Sequence, residues 1–333
     1  MFKKKTIVTG GAGFIGSHIT ERLLHEGHDV TVLDNFSTGR QENLQHLSEF
    51  ENLNVVHADI SVQEEITEYF ENVDWVFHIA AIADIVPSIV NPSLYHKSNV
   101  DGTISVLEAS RNAGVKRFIY AASSSCYGMT KEFPTLESAR TEPEYPYALT
   151  KFVAEQYVMH WGKVYDLPVV SLRMFNVFGP RSRSSGTYGA VFGVFLAQKL
   201  AGKPLTVVGD GTQTRDFVSV IDVADAYLKA AESNVTNEIF NVGSGNTYSI
   251  NRLVELLGGE VIYIPKRPGE PDCTFGDISK IKEALGWHPE VSFEEGVKLM
   301  LENIEYWNEA PVWEPEMINE ATEGWFKYLG SAR

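Results

Sequence analysis

The stretch Thr9-Gly10-Gly11-Ala12-Gly13-Phe14-Ile15-Gly16 limits what this chain can fold into more than any other segment. It follows a short apolar run, Thr6 to Thr9, and opens a helical pattern that runs to about His25. Between a strand and a helix, each glycine has its own use. Gly10 permits a tight turn, Gly13 lets backbone approach a pyrophosphate, and Gly16 lets the helix lie close on the strand. The first N–H groups of such a helix, with the positive end of its dipole, form a phosphate site. The context matters more than the glycines, which also mark ordinary turns.

Further short apolar runs lie at Val30 to Leu33, Val55 to His57, Trp75 to Ile79, Phe118 to Ala121 and Val169 to Leu172. Each is followed by a polar or glycine-containing connection, as strands buried on both faces should be. With crossover helices between them they predict an α/β, Rossmann-type doubly wound parallel sheet. After about Asn176 the rhythm breaks: Gly and Pro become dense, and short strands and helices mix without alternation. The expected division is a dinucleotide-binding domain over 1–175 and a smaller α/β substrate-binding lobe over 176–333, with the chain free to cross between them. The acidic segment Glu309 to Arg333, with Trp313 and Trp325, reads as a terminal helix packed on the body, and no function is assigned to it.

Charge narrows the ligands. Lys plus Arg number 28 against 44 Asp plus Glu, a formal net charge of -16 over 333 residues. Such a field repels polyanions, so nucleic acid is not an expected partner, and an anionic substrate must be gripped by a few placed arginines. Cys126 and Cys273 are the two cysteines and form no CxxC pair, so neither a disulfide framework nor a metal site is expected, and a reducing cytoplasm fits. No apolar run approaches the roughly 20 residues of a membrane span.

Asp34 ends the second strand at roughly the 20-residue spacing at which an acid accepts adenosine ribose hydroxyls and would repel a 2′-phosphate, which favours NAD. Tyr147 and Lys151, at i and i+4, share a face of a strong helical pattern from Tyr147 to Tyr165. A neighbouring ammonium would lower the phenol's pKa towards that of a usable base. Ser123 ends the fifth strand, where open α/β sheets place their ligands.

In that order, TGGAGFIG, the Ser123 region, Tyr147-x-x-x-Lys151 and the later GDGTQTRDFV resemble the extended short-chain dehydrogenase/reductase family, close to its nucleotide-sugar 4-epimerases. The resemblance runs to about Tyr306. It implies a catalytic triad of Ser123, Tyr147 and Lys151. It implies NAD held by Gly10, Gly13, Phe14, Ile15 and Gly16, then by Asp34, Asn35, Ser37, Thr38 and Gly39, and then by Asp59, Ile60, Ala80, Ala81 and Ala83. Asn99, Phe175, Tyr147 and Lys151 complete that set. It implies a UDP-sugar held through Val86, Ser124, Ser125, Asn176, Leu205, Val207, Arg215, Arg267, Glu270 and Thr274. In this arrangement Arg215 and Arg267 take the diphosphate and Glu270 the nucleoside ribose, while the strand with Leu205 and Val207 reads uracil through its backbone.

Serines at 124 and 125 replace the Asp-Glu pair of related dehydratases and the Glu of related decarboxylases, which disfavours both reactions. Thr274 stands at a gatekeeper position and is small enough for an N-acetylhexosamine. Asp84 would oppose a uronate carboxylate if it faced the sugar. The expected activity is NAD-dependent 4-epimerisation of UDP-glucose/galactose or UDP-GlcNAc/GalNAc through a 4-keto intermediate. The alternatives are a UDP-glucuronate 4-epimerase, a nucleotide-sugar dehydrogenase and a non-catalytic NAD-binding scaffold. By the same resemblance a homodimer forms through helices at about 94–112 and 147–164.

Overall fold

The structure is a computed structural model and describes residues 2–182 and 190–330. Seven parallel strands form one sheet: β1 (Lys5–Thr9), β2 (Asp29–Asp34), β3 (Leu53–His57), β4 (Trp75–His78), β5 (Arg117–Ser123), β6 (Val169–Met174) and β7 (Glu238–Val242). Their order is β7-β6-β5-β4-β1-β2-β3. The six strands expected from sequence are present, each within two residues of the expected bounds. The seventh lies beyond residue 175, so the sheet is completed by chain that returns from the second half.

Each strand sends alternate side chains to opposite faces, and both faces are covered. Val8, Val32, Phe77, Ile119 and Val170 enter one core with Leu23, Leu24, Tyr227 and Trp287. Their neighbours Ile7, Leu33, Val76, Phe118 and Val169 enter the other with Val106, Leu107, Ala154 and Val158. Helices α1 (Phe14–His25) and α4 (Val220–Glu232) pack together on the first face, while α2 (Gly102–Ala113) and α3 (Pro146–Tyr165) cover the second. Pro146 supplies the preset φ of a first helical turn and so starts α3 just before Tyr147. No described helix is long and apolar enough to cross a membrane.

The smaller lobe has its own core, centred on Phe178, Phe192, Phe217 and Phe293. Short strand pairs surround it: Asn176–Phe178 with Phe217–Ser219, and Leu205–Val208 with Val261–Ile264. The final helix α5 (Pro315–Leu329) packs against the helix Ile85–Val90 of the sheet body.

Candidate active site

Sheet order reverses between β1 and β4, and a crevice opens outside the carboxyl ends of the strands at such a point. Here it is a cavity of about 700 Å³ that runs from the glycine loop to Trp325. At the turn leaving β1, Gly10 has φ +69°, and a Cβ there would lie 2.7 Å from the Ala80 Cα. A Cβ on Gly16 would lie 2.1 Å from the Gly10 carbonyl oxygen. Neither position admits a side chain. Gly13 begins α1 with no side-chain cap, so the first turn of the helix faces the cavity bare. That cradle fits a pyrophosphate.

Asp34 fits the ribose role. Its carboxylate accepts from the Ala12 and Phe36 amides at 3.0 and 2.9 Å, which aims it at the crevice, and burial raises its pKa. Burial also pushes Asp59 up, but bonds from Ser61 and Asn35 outweigh it and leave that carboxyl below its ordinary value. Ser37, Thr38, Gly39, Ile60, Ala80, Ala81 and Ala83 line the same wall.

Asn99 departs from expectation. It is buried and does not line the cavity: its amide accepts from Ile82 N at 2.8 Å and donates to Ile82 O and to Thr150 Oγ1, both at 3.0 Å. It braces the loop after β4 against α3. Beside it runs a buried chain that sequence reading missed, in which His78 joins Thr9 Oγ1 at 2.7 Å and Thr103 Oγ1 at 2.9 Å. Thr103 donates to the Asn99 carbonyl, so His78 must donate to Thr103 through Nε2 and accept from Thr9 at Nδ1. Burial holds this imidazole neutral, with its pKa down to about 3. No motif announces these residues, because they meet only when β1, β4 and α2 pack.

Ser123 ends β5 with its hydroxyl 2.9 Å from Ser125 Oγ and within hydrogen bonding of the Tyr147 phenol. Tyr147 and Lys151 lie one turn apart on α3, both lining the cavity. The expected lowering of the tyrosine by the lysine is not found in the protein alone. Burial and the charge of Asp84 raise the Tyr147 pKa, the Ser123 bond opposes them, and Lys151 is not among the causes. The reason lies in the lysine itself. Buried, with its ammonium 4.5 Å over the Tyr120 ring, it is pushed down to about 7, against which the Glu155 charge gives partial support.

At the far end Arg215 pairs with Glu270 at 3.0 Å, and Arg267 reaches the same carboxylate at 3.9 Å. Thr274 donates to Asn176 Oδ1 at 2.8 Å, so the two cavity-lining side chains hold each other. Leu205 and Val207 put their side chains in the core of the lobe while Thr206 and Val208 line the cavity, an arrangement that leaves the backbone role expected of this strand untouched. Alternation along one strand makes the two pairs exclusive. Phe175, Val86, Ser124 and Ser125 line the cavity as expected. Tyr145, Trp313 and Trp325 line it without having been expected to. The Tyr145 ring is stacked 6.4 Å from that of Tyr147, and Trp325 lies 6.5 Å beyond it.

Comparison with known proteins places this geometry. The chain is 37% identical to a UDP-glucose 4-epimerase from Thermotoga maritima solved with UDP-glucose, with TM-score 0.85 over 92% of this chain and 99% of that one. It is 35% identical to a UDP-N-acetylglucosamine 4-epimerase from Methanobrevibacter ruminantium, solved with UDP-N-acetylmuramic acid, with TM-score 0.85 over 91% and 99%. It is 31% identical to a UDP-glucuronic acid 4-epimerase from Bacillus cereus solved with UDP-glucuronic acid and NAD, with TM-score 0.84 over 90% and 99%. A family model matches residues 6–243, which hold the glycine loop, the Ser123, Tyr147 and Lys151 constellation and Arg215. The chain belongs to the NAD-dependent epimerase/dehydratase family.

Proposed function

We propose that this enzyme is an NAD-dependent 4-epimerase of a UDP-hexose or UDP-N-acetylhexosamine, working through a transient 4-keto sugar. One observation carries the reading. Ser123 and Tyr147 meet in the stretch of cavity between the glycine cradle and the arginine pair, with serines rather than acids at 124 and 125. That stretch can move a proton on and off a sugar hydroxyl but offers no acid or base at 124 or 125 for removing water or carbon dioxide.

When bound, NAD supplies the acceptor and then the donor of hydride at C4. The chain supplies the rest. Tyr147, ionised, takes the C4 hydroxyl proton at Oη and returns it to the same oxygen after the ring has turned its other face. Ser123 hydrogen-bonds that oxygen throughout. Lys151, one turn along α3, holds the nicotinamide ribose. Arg215 and Arg267 grip the diphosphate, exchanging Glu270 for phosphate oxygens and freeing that carboxylate for the uridine ribose. The uracil lies against the strand Leu205–Val208, on the side of Thr206 and Val208.

A uronate substrate is the second reading, favoured by the Bacillus cereus relative. Asp84 weighs against it, because its charge already acts on Tyr147 and would face a carboxylate on the same sugar. Purified enzyme incubated with UDP-glucose, UDP-N-acetylglucosamine or UDP-glucuronate, followed by proton NMR at C4 and by NADH absorbance, decides. The C4 epimer of a neutral sugar should accumulate without stoichiometric NADH, and at least tenfold faster than the epimer of UDP-glucuronate. One NADH per keto product would make the enzyme a dehydrogenase instead.

We further propose a homodimer through α3 and the helical stretch before it. Leu94, Leu149, Val164 and Tyr165 are exposed there, an apolar surface that a second copy would bury. Light scattering should give twice the chain mass; the chain mass itself would reject the dimer. Two unpaired cysteines accord with work in the reducing cytoplasm.

A further inference from the structure

The motif resemblance ends near Tyr306, and the solved relatives align over 99% of their own length while covering about nine-tenths of this chain. Helix α5 lies past that end, yet it reaches the reaction site. Its Trp325 is 5% exposed, lines the cavity and donates from Nε1 to the Pro268 carbonyl at 2.6 Å. The indole lies 6.5 Å from the Tyr145 ring and is tilted 45° to it, and Tyr145 stacks on Tyr147. The Arg267 guanidinium lies 5.7 Å from the ring centroid. Trp325 is thus flanked by Tyr145, the stacking neighbour of the tyrosine assigned to the reacting hydroxyl, and by the arginine assigned to the diphosphate. Only the sugar ring connects those two groups in a UDP-sugar.

The segment leading to α5 is anchored at the nucleotide end as well. The carbonyl of Trp313 accepts from Gln198 Nε2 at 2.6 Å, and the same Gln198 accepts from the Thr206 amide at 3.1 Å. Ala310, Pro311 and Trp313 line the cavity on the way. The segment therefore runs as a strap from the strand Leu205–Val208 to Tyr145, beside the catalytic tyrosine.

We infer that Trp325 is the platform on which the pyranose ring of the substrate packs, and that α5 closes the sugar end of the site. The inference rests on the UDP-sugar reading given above. An indole face suits a pyranose, whose axial C–H groups form an apolar patch against the ring while its hydroxyls turn to polar partners such as Ser124, Ser125 and Asp84.

The test compares binding of UDP and of UDP-N-acetylglucosamine by calorimetry, alongside KM, in the NAD-loaded enzyme. Trp325→Ala should weaken binding of the UDP-sugar and raise its KM about tenfold, while the Kd for UDP, which lacks the sugar, stays within about twofold. Trp325→Phe keeps an aromatic face but loses the bond to Pro268, and should hold the UDP-sugar Kd within about threefold of wild type. Equal weakening of UDP and UDP-sugar in both variants would overturn the inference, since Trp325 would then only support the loop that carries Arg267. So would a Trp325→Ala enzyme with unchanged affinity for the sugar nucleotide. Wild-type enzyme that binds the UDP-sugar more tightly than UDP, loses that difference in Trp325→Ala and yet epimerises neither neutral sugar would refute the 4-epimerase reading and leave the platform standing.

Discussion

Tyr147→Phe is expected to lower kcat by about 10²–10⁴-fold, the range for removing a positioned acid–base group. KM for the UDP-sugar and the affinity for NAD should stay close to wild type. Phenylalanine keeps the ring that stacks on Tyr145 and removes one oxygen, the one hydrogen-bonded to Ser123. In the protein alone burial and Asp84 keep that phenol protonated. A positive charge brought in beside it is what would favour ionisation, so activity needs the oxidised cofactor for its charge as well as for its chemistry. Steady-state kinetics with a coupled assay of the C4 epimer reads the effect, and calorimetry with NAD checks that the site is intact. A kcat within tenfold of wild type would transfer the proton-moving role to Ser123.

Glu155→Ala is expected to destabilise the fold by about 3–5 kcal/mol, the cost of leaving one member of a buried ion pair uncompensated. Glu155 and Arg173 are 1% and 3% exposed. Glu155 accepts from Arg173 Nη2 at 2.6 Å and Nε at 3.0 Å, and from Ser171 Oγ at 2.7 Å. Arg173 continues the network to the Tyr127 hydroxyl at 3.0 Å, which donates to Asn241 on β7 at 2.7 Å. Burial alone would depress the guanidinium, but the bond and charge of Glu155 hold it well above its ordinary range. Without the carboxylate, α3 loses the side-chain hydrogen bonds of Glu155 to β6, and Arg173 is a buried cation with only neutral hydrogen-bond partners. Lys151 suffers too: Glu155 is the charge that keeps its pKa from falling further below about 7. The urea midpoint should drop, and catalysis should fall even where the protein remains folded. A loss under 1 kcal/mol would mean that water or a rearranged side chain takes the place of Glu155.

These two residues differ in how far sequence alone could find them. Tyr147 has Lys151 four positions on and Ser123 upstream at the end of a strand, so the family resemblance of those motifs reaches its role. Glu155 is merely a second i+4 step on the same helix and reads as a solvated face. Its importance depends on Arg173, which lies just past the apolar run Val169 to Leu172. Likewise the acidic chain implies a need for local cations and the motif resemblance names Arg215 and Arg267 for it, whereas the bond of Glu270 to Arg215 comes from a loop and a strand meeting in space.

What the sequence determined by itself is whatever local periodicity and backbone geometry encode. Six strands show as short apolar runs, α3 as a helical pattern from Tyr147 to Tyr165, and the phosphate loop as closely spaced glycines between a strand and a helix. Each of these is settled by residues within a turn or two of one another. The tertiary structure decided the rest, because those contacts join residues far apart in the chain. It added β7 to the edge of the sheet and turned Leu205 and Val207 inward. It buried Asn99 as a brace between the loop after β4 and α3, and it lowered the pKa of Lys151 by desolvation. It also carried Trp325 to a place between Tyr145 and Arg267, with nothing in the acidic segment around it to indicate the journey. Burial and packing are properties of the assembled surface, and no window of sequence contains them.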